Sequence, residues 1–232
     1  MSDIRLAQMD DAEAIHRILQ ETWGESLLFD VFSDHISSPA HQVFVAVEVG
    51  EVAGFLSAFL VSNPVSRWEI DLIIVRSGSQ GKGIGTSLIQ DALTYGSRLG
   101  VRSAKASIRI DNYASQRAFA KVGFTTEAQI RSLLLWKPLA FRFVADVPET
   151  VHLIPVDTLT YRGLWIEGFV ESQLSQQAQR DVIRTTQSRI FDAERLNTGM
   201  FIPDDLKGVI APDLLTSATN HGQYHWWQYV FR

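Results

Sequence analysis

Residues 76–86 read Arg-Ser-Gly-Ser-Gln-Gly-Lys-Gly-Ile-Gly-Thr, and they join an apolar run, Ile70-Asp71-Leu72-Ile73-Ile74-Val75, to a segment of helical periodicity. A strand that enters a glycine-rich turn and leaves it as a helix points several backbone N–H groups at one spot. That spot lies at the positive end of the helix dipole, which makes it a seat for phosphate or pyrophosphate. Gly81, Gly83 and Gly85 keep side chains away from those amides, and glycine accepts φ above zero. The chain must therefore build a strand–turn–helix layer, and the class this predicts is α/β.

Two common phosphate motifs do not fit. A Walker A loop needs Gly-x-x-x-x-Gly-Lys-Ser/Thr; Gly78 and Gly83 have the spacing, but Ile84 stands where the lysine belongs. A Rossmann fingerprint needs Gly-x-Gly-x-x-Gly and an acidic residue ending the next strand. Gly81-x-Gly83-x-Gly85 has the wrong step, and the next strand ends Ile108-Arg109-Ile110.

Charge and composition remove further classes. Twenty-one basic against 26 acidic residues leave a net charge of −5 and no basic block, which is poor material for binding nucleic acid. With no cysteine there is no disulfide framework, no thiolate metal site and no cysteine nucleophile. Met1-Ser2-Asp3-Ile4-Arg5 lacks the pattern of a signal peptide, and no apolar run reaches the length of a membrane span. These features predict a cytoplasmic protein with no membrane partner. His35 and His41 lie six apart on a stretch read as a loop; a metal pair would need a carboxylate or a third His, and although Asp30 and Asp34 are near in sequence, no metal site is expected.

The pattern predicts a short strand at Ile4–Leu6, a helix through Ala14, Ile15, Ile18, Leu19 and Trp23, and a second short helix before Pro39. A hairpin follows over residues 43–61, turning at Gly50-Glu51, and then a strand over 68–75. Past the glycine turn come a helix to about Leu99, a strand over 101–110, a helix capped by Asn112 and stopped by Gly123, and a strand over 124–136. The composition changes after Pro138, which places a boundary near 140: residues 1–140 as one domain and 141–232 as a smaller C-terminal α/β region, a cap or a degenerate half of the first. There the pattern suggests a strand at 150–157, helices at about 158–168 and 175–194, a loop over 197–213, and an aromatic strand at 224–231. Trp226, Trp227, Tyr224, Tyr229 and Phe231 alternate, so one side of that strand packs on the first domain or on a second copy in a homodimer, or else lines an aromatic acceptor pocket.

Gln80-Gly81-Lys82-Gly83-Ile84-Gly85 fits Arg/Gln-x-x-Gly-x-Gly/Ala, and a second motif begins at Asn112-Tyr113-Ala114-Ser115 and closes with Phe119-Ala120-Lys121-Val122-Gly123-Phe124. With one helix and one strand between them, these segments resemble the two cofactor segments of the GCN5-related N-acetyltransferases (GNAT). The resemblance covers residues 3 to about 137. It implies a central mixed, mostly antiparallel sheet flanked by helices, and acetyl-CoA as cofactor. The implied activity is transfer of an acetyl group to a primary amine of a small molecule or peptide, by direct attack.

The resemblance assigns roles as follows. The amides of Gly81, Lys82, Gly83, Ile84, Gly85 and Thr86, with Gln80, hold the pyrophosphate. Backbone groups of Ile73, Ile74 and Val75 line a wedge for the pantetheine, and an N–H there polarises the thioester carbonyl. Asn112, with Ser115 and Phe119 on the helix it starts, faces the cofactor. Glu69 and Asp71 are the candidate general bases; two apart on a strand, they share one face, which either meets the active cleft or is simply solvated. Phe119 stands where the family usually has a tyrosine that protonates the leaving thiolate, and Phe119 has no proton to give. That departure keeps open a non-catalytic acyl-CoA sensor or a partner-binding protein. Trp23, Phe29 and Phe32 occupy a stretch that often lines the family's acceptor site, and aromatics between two helices equally suit a core.

Overall fold

The computed structural model describes residues 3–193 and 195–232. In chain order its elements begin β1 (Asp3–Leu6), α1 (Ala12–Trp23), α2 (Phe29–Ser37), β2 (His41–Glu48), β3 (Glu51–Val61) and β4 (Arg67–Val75). Next come α3 (Ile84–Arg98), β5 (Ser103–Arg109), α4 (Tyr113–Val122) and β6 (Thr125–Trp136). The rest is β7 (His152–Asp157), β8 (Arg162–Glu167), α5 (Gln176–Asp192), β9 (Asn197–Pro203), α6 (Pro212–Ser217) and β10 (Thr219–Val230).

These elements form two compact units, and no single cut separates them. The first takes Met1–Glu127, Thr158–Thr160 and Trp226–Arg232; the second takes Ala128–Asp157 and Tyr161–His225. The boundary expected near 140 thus falls inside the second unit. The physical reason is that β6 and β10 are each 12 residues long and contribute to both units.

In the first unit the strands run β1-β2-β3-β4-β5-β10. β1 to β4 pair antiparallel, and β4 pairs with β5 in parallel through the α3 crossover. One face packs Trp68, Ile70, Leu88, Ile89, Phe119 and Phe124 beneath α3 and α4. The other packs Ile15, Leu19, Phe32, Phe55 and Ile74 beneath α1 and α2. The helix ends follow local chemistry: Gly24 and Gly123 close α1 and α4 in the left-handed region, and the Asn112 side chain accepts from the Ser115 amide at 3.1 Å.

Gly96 lets α3 lie directly on Trp68, since a Cβ there would stand 2.8 Å from the indole Cδ1. Gly96→Val is therefore expected to cost about 1–3 kcal/mol through overpacking, read as a lower urea midpoint with an unchanged slope.

The second unit has its own core of Trp136, Val182, Ile183, Met200, Ile202 and Leu214. β7 and β8 form an antiparallel hairpin, α5 crosses over to β9 parallel to β8, and β9 pairs antiparallel with β6. This hairpin–crossover–parallel strand sequence has the connectivity of β3–β4–α3–β5. The helix expected over 158–168 is instead a turn followed by β8. Tyr, Leu, Trp and Ile there satisfy helical and strand spacing alike, and tertiary pairing decides. At Gly163 the backbone approach is decisive, because a Cβ would lie 2.5 Å from the Asn197 carbonyl oxygen on the neighbouring strand. The stretch read as a loop over 197–213 holds β9 and the start of α6: Gly199 pairs with Leu135 inside the strand, Pro203 ends it and Pro212 starts the helix. No helix among the described residues is long and apolar enough to cross a membrane.

Candidate active site

β4 carries the site. Its pairing with β3 runs Val75↔Gly54 to Leu72↔Ser57, then jumps to Ile70↔Ala58, so Asp71 is the extra residue of a bulge. Across the other edge, β4 pairs with β5 only at Trp68↔Ala104, Glu69↔Lys105 and Ile70↔Ala106. Among the described residues the two strands make no further pairing beyond Ile70, which leaves residues 71–75 beside an open edge of the ladder. Ile73, Ile74 and Val75 lie on that stretch. Ile74 is buried against the α1–α2 face, whereas Ile73 and Val75 are partly buried toward α3.

The turn after β4 is braced from both sides. The Gln80 side chain donates to the Val75 carbonyl at 3.0 Å, and the Arg76 amide donates to Ala53 at 2.9 Å. Glu48, at the end of β2, accepts from the Ser79 hydroxyl at 2.7 Å and from Lys82 Nζ at 3.2 Å. Those two donors, Ser79 first, hold the Glu48 carboxyl below the usual range. Nothing local in the sequence marks Glu48, because its partners are 31 and 34 residues away.

Gly81 and Gly83 take φ of +78° and +85°, and a Cβ on either would enter open space. Gly83 is the N-cap of α3, so the first-turn amides of Ile84, Gly85 and Thr86 lack intrahelical partners. The cradle therefore fits a pyrophosphate: backbone donors, a positive helix end and no side chain over them. Two details differ from the sequence expectation. Gly85 is helical without a positive φ, and a Cβ there would make only ordinary contact with Ile73 at 3.6 Å. Ile84 is buried, so its side chain anchors α3 in the core and only its amide faces the turn.

The second motif starts α4. The Asn112 carbonyl oxygen is committed to the cap, which leaves its Nδ2 as the group with donors to offer. Ser115 is partly buried one turn on. Phe119 is 2% exposed and meets Phe124 edge to face at a centroid distance of 4.9 Å, so its ring is core packing.

Of the paired carboxylates, Glu69 is 2% exposed and bonded to Arg67 Nε at 2.8 Å. Asp71 differs. The residue is partly exposed, yet its Oδ2 is sealed from solvent and has no hydrogen-bond partner. Burial pushes its carboxyl up to about 7, helped by the charges of Glu69 and Glu25 and opposed by a hydrogen bond from Ser57. Ser57 and Glu25 were not legible as site residues; Ser57 matters only because the bulge sets Leu72 rather than Asp71 opposite it. Trp23 and Phe29 are 48% and 42% exposed at the facing ends of α1 and α2, while Phe32 is core. His35 and His41 stack at 4.2 Å, and no cluster of metal-ligating residues occurs among the described residues.

The pattern of an acetyltransferase (GNAT) family domain matches residues 12–124. A Bacillus subtilis protein named "Putative phosphinothricin acetyltransferase YwnH" is 30% identical over 136 residues, covering 52% of this chain and 82% of that protein. The L-2,4-diaminobutyric acid acetyltransferase of Virgibacillus pantothenticus is also 30% identical, over 46% of this chain and 65% of that protein. Among solved structures, the glucosamine N-acetyltransferase region of a fungal multidomain GH3 β-N-acetylglucosaminidase aligns over 99% of this chain and 38% of that one, with a TM-score of 0.60. At 11% identity that likeness is one of fold. The strand–turn–helix cradle, the interrupted β4–β5 pairing and these relatives agree: the chain belongs to the GNAT acetyltransferase family, whose acyl donor is acetyl-CoA.

Proposed function

We propose that the chain moves an acetyl group from acetyl-CoA to a primary amine of a small molecule, with Asp71 as the base. The observation that carries this reading is the Asp71 carboxylate, set on a bulge beside the open edge of β4 and with a proton affinity raised to about 7. A base of that strength suits an ammonium that must lose a proton near neutral pH. Asp71 accepts that proton, directly or through a water. The free amine attacks the acyl carbon, the C–N bond forms, the C–S bond breaks, and the second proton shed by the nitrogen passes through solvent to the leaving sulfur, releasing the CoA thiol. Glu69 is held in an ion pair with Arg67 and is the less suited of the two carboxylates to act as the base.

Backbone groups supply the rest. The amides from Gly81 to Thr86 bind the diphosphate, the open edge at 71–75 receives the pantetheine arm, and Asn112 Nδ2 donates to it. The acidic balance of the chain and the two small-molecule relatives support a small amine over a basic protein tail.

Isothermal titration with acetyl-CoA, followed by thiol release over a panel of primary amines, tests the proposal. Binding with amine-dependent release is the expected result. Phe119 favours one alternative, an acyl-CoA sensor, because no hydroxyl stands at that core position to protonate a thiolate. The sensor predicts binding with no release for any amine.

A further inference from the structure

The connection between β7 and β8 is far from the glycine turn in sequence, yet Thr158–Thr160 belong to the first unit. Leu159 is fully buried in the cluster that holds Ile15, Leu19, Leu27, Phe32 and Ile74. Its carbonyl accepts from the Leu28 amide at 2.8 Å. The Thr158 hydroxyl accepts from the Thr160 amide at 3.4 Å, which shapes the tripeptide as a local turn.

Leu28 ends the α1–α2 connection, residues 24–28. Its other hydrogen bonds are local: the Gly24 amide donates to the Gln20 carbonyl at 3.0 Å, the Leu27 amide to His16 Nδ1 at 3.2 Å, Gln20 to Ser26 at 2.9 Å, and the Phe32 amide to the Leu28 carbonyl at 2.9 Å. It carries Glu25, whose charge acts on Asp71, and it lies between the exposed rings of Trp23 and Phe29. Those bonds come from the flanking helices. Leu159 supplies a backbone hydrogen bond from distant sequence, and it adds a buried side chain to it.

We propose that Leu159 is a positioning residue of the acceptor site, fixing the α1–α2 connection over the stretch of β4 that carries Asp71, where Leu27 shares a core cluster with Ile74 and Leu72. The inference rests on the amine-acetylating reading above. Its consequence is that the long segment inserted between β6 and β10 returns three residues to the first unit, and those residues govern the fit of the amine, not the fit of the acyl donor.

The test uses the full chain with Leu159→Ala, the milder Leu159→Val, and Glu25→Gln. Kinetics are measured with L-2,4-diaminobutyrate, phosphinothricin, glucosamine and simple alkylamines, and CoA affinity by titration. Leu159→Ala is expected to raise the KM for the best amine at least tenfold, with CoA affinity within twofold of the parent. Glu25→Gln, at an exposed position, raises the same KM. The double variant Leu159→Ala/Glu25→Gln is worse than the poorer single variant by less than twofold, since both act through one connection. Should Leu159→Ala fail to fold, Leu159→Val removes one methylene and reads the same KM shift on a smaller scale. An unchanged amine KM in whichever folded Leu159 variant is measured overturns the positioning role while leaving the acetyltransferase reading intact. Equal losses of amine and CoA binding overturn it too, by showing a general loosening. If the parent protein releases thiol with no amine, the functional reading falls and this inference falls with it.

Discussion

Asp71→Asn is expected to cut amine-dependent thiol release by about 10²–10⁴-fold at pH 8 while making the protein more stable at that pH. Both effects come from the same feature. A carboxyl pushed up to about 7 is a group whose charged form is disfavoured by the fold. The sign follows from proton linkage: between the ordinary aspartate value and about 7 the unfolded chain has lost this proton and the folded chain has kept it. Stability therefore falls as pH rises across that window, and the full cost applies above it. The shift corresponds to at most ~4 kcal/mol, and the neutral amide of Asn removes that cost while keeping the shape and the Ser57 contact. The melting temperature of Asp71→Asn should exceed the parent's by several degrees at pH 8 and converge with it near pH 4. In the parent, kcat/KM for the amine should rise with pH to a plateau through about 7. An Asp71→Asn enzyme with the parental pH profile would exclude Asp71 as the base.

Gly83→Val is expected to weaken acetyl-CoA binding at least 100-fold, with a loss of about 1–3 kcal/mol in stability from a β-branched residue held at positive φ. The added side chain meets no protein atom within 4 Å, so it does not clash with the fold. It stands in the space over the first amides of α3, which is the seat proposed for the diphosphate. Titration calorimetry separates the two consequences, because a merely strained turn would lower the melting temperature without abolishing the affinity. Gly85→Ala is the informative control: its Cβ makes ordinary contact inside a regular helix, and a much smaller loss is expected. Retention of parental affinity in Gly83→Val would remove the turn from the binding site.

The cradle was legible because its information is local. A strand, a turn with φ above zero at Gly81 and Gly83, and a helix N-terminus are encoded within about a dozen consecutive residues. Asn112 and Gly123 likewise announce both ends of α4 by cap chemistry alone. Glu69 and Asp71 could be proposed from alternation, but their inequality could not. Arg67 neutralises one, and a bulge with sealed surroundings perturbs the other, and those facts depend on register with β3. Glu25 and Glu48 were invisible for the same reason, their effects being exerted across tens of residues. The region after Pro138 misled because Leu, Tyr, Trp and Ile around position 162 suit two periodicities, and only the close approach at Gly163 distinguishes them.

The strand order of the first unit has a consequence for anyone who would dissect this protein. β5 is bordered on one side by β10, and the Phe231 amide donates to the Arg102 carbonyl at 3.0 Å, a partnership across more than half of the chain. No contiguous stretch corresponds to the acetyltransferase core. A fragment stopped at residue 140, the boundary that composition suggests, would carry every residue of the cradle and still expose a full unpaired strand edge, an invitation to self-association. The catalytic half and the inserted half are thus inseparable by truncation, and homologous exchange of the insertion would have to be done as a loop graft with β6 and β10 left in place. Sheet closure over such a distance also predicts slow, all-or-none maturation of the site, since the early segments wait on the late one for their last neighbour.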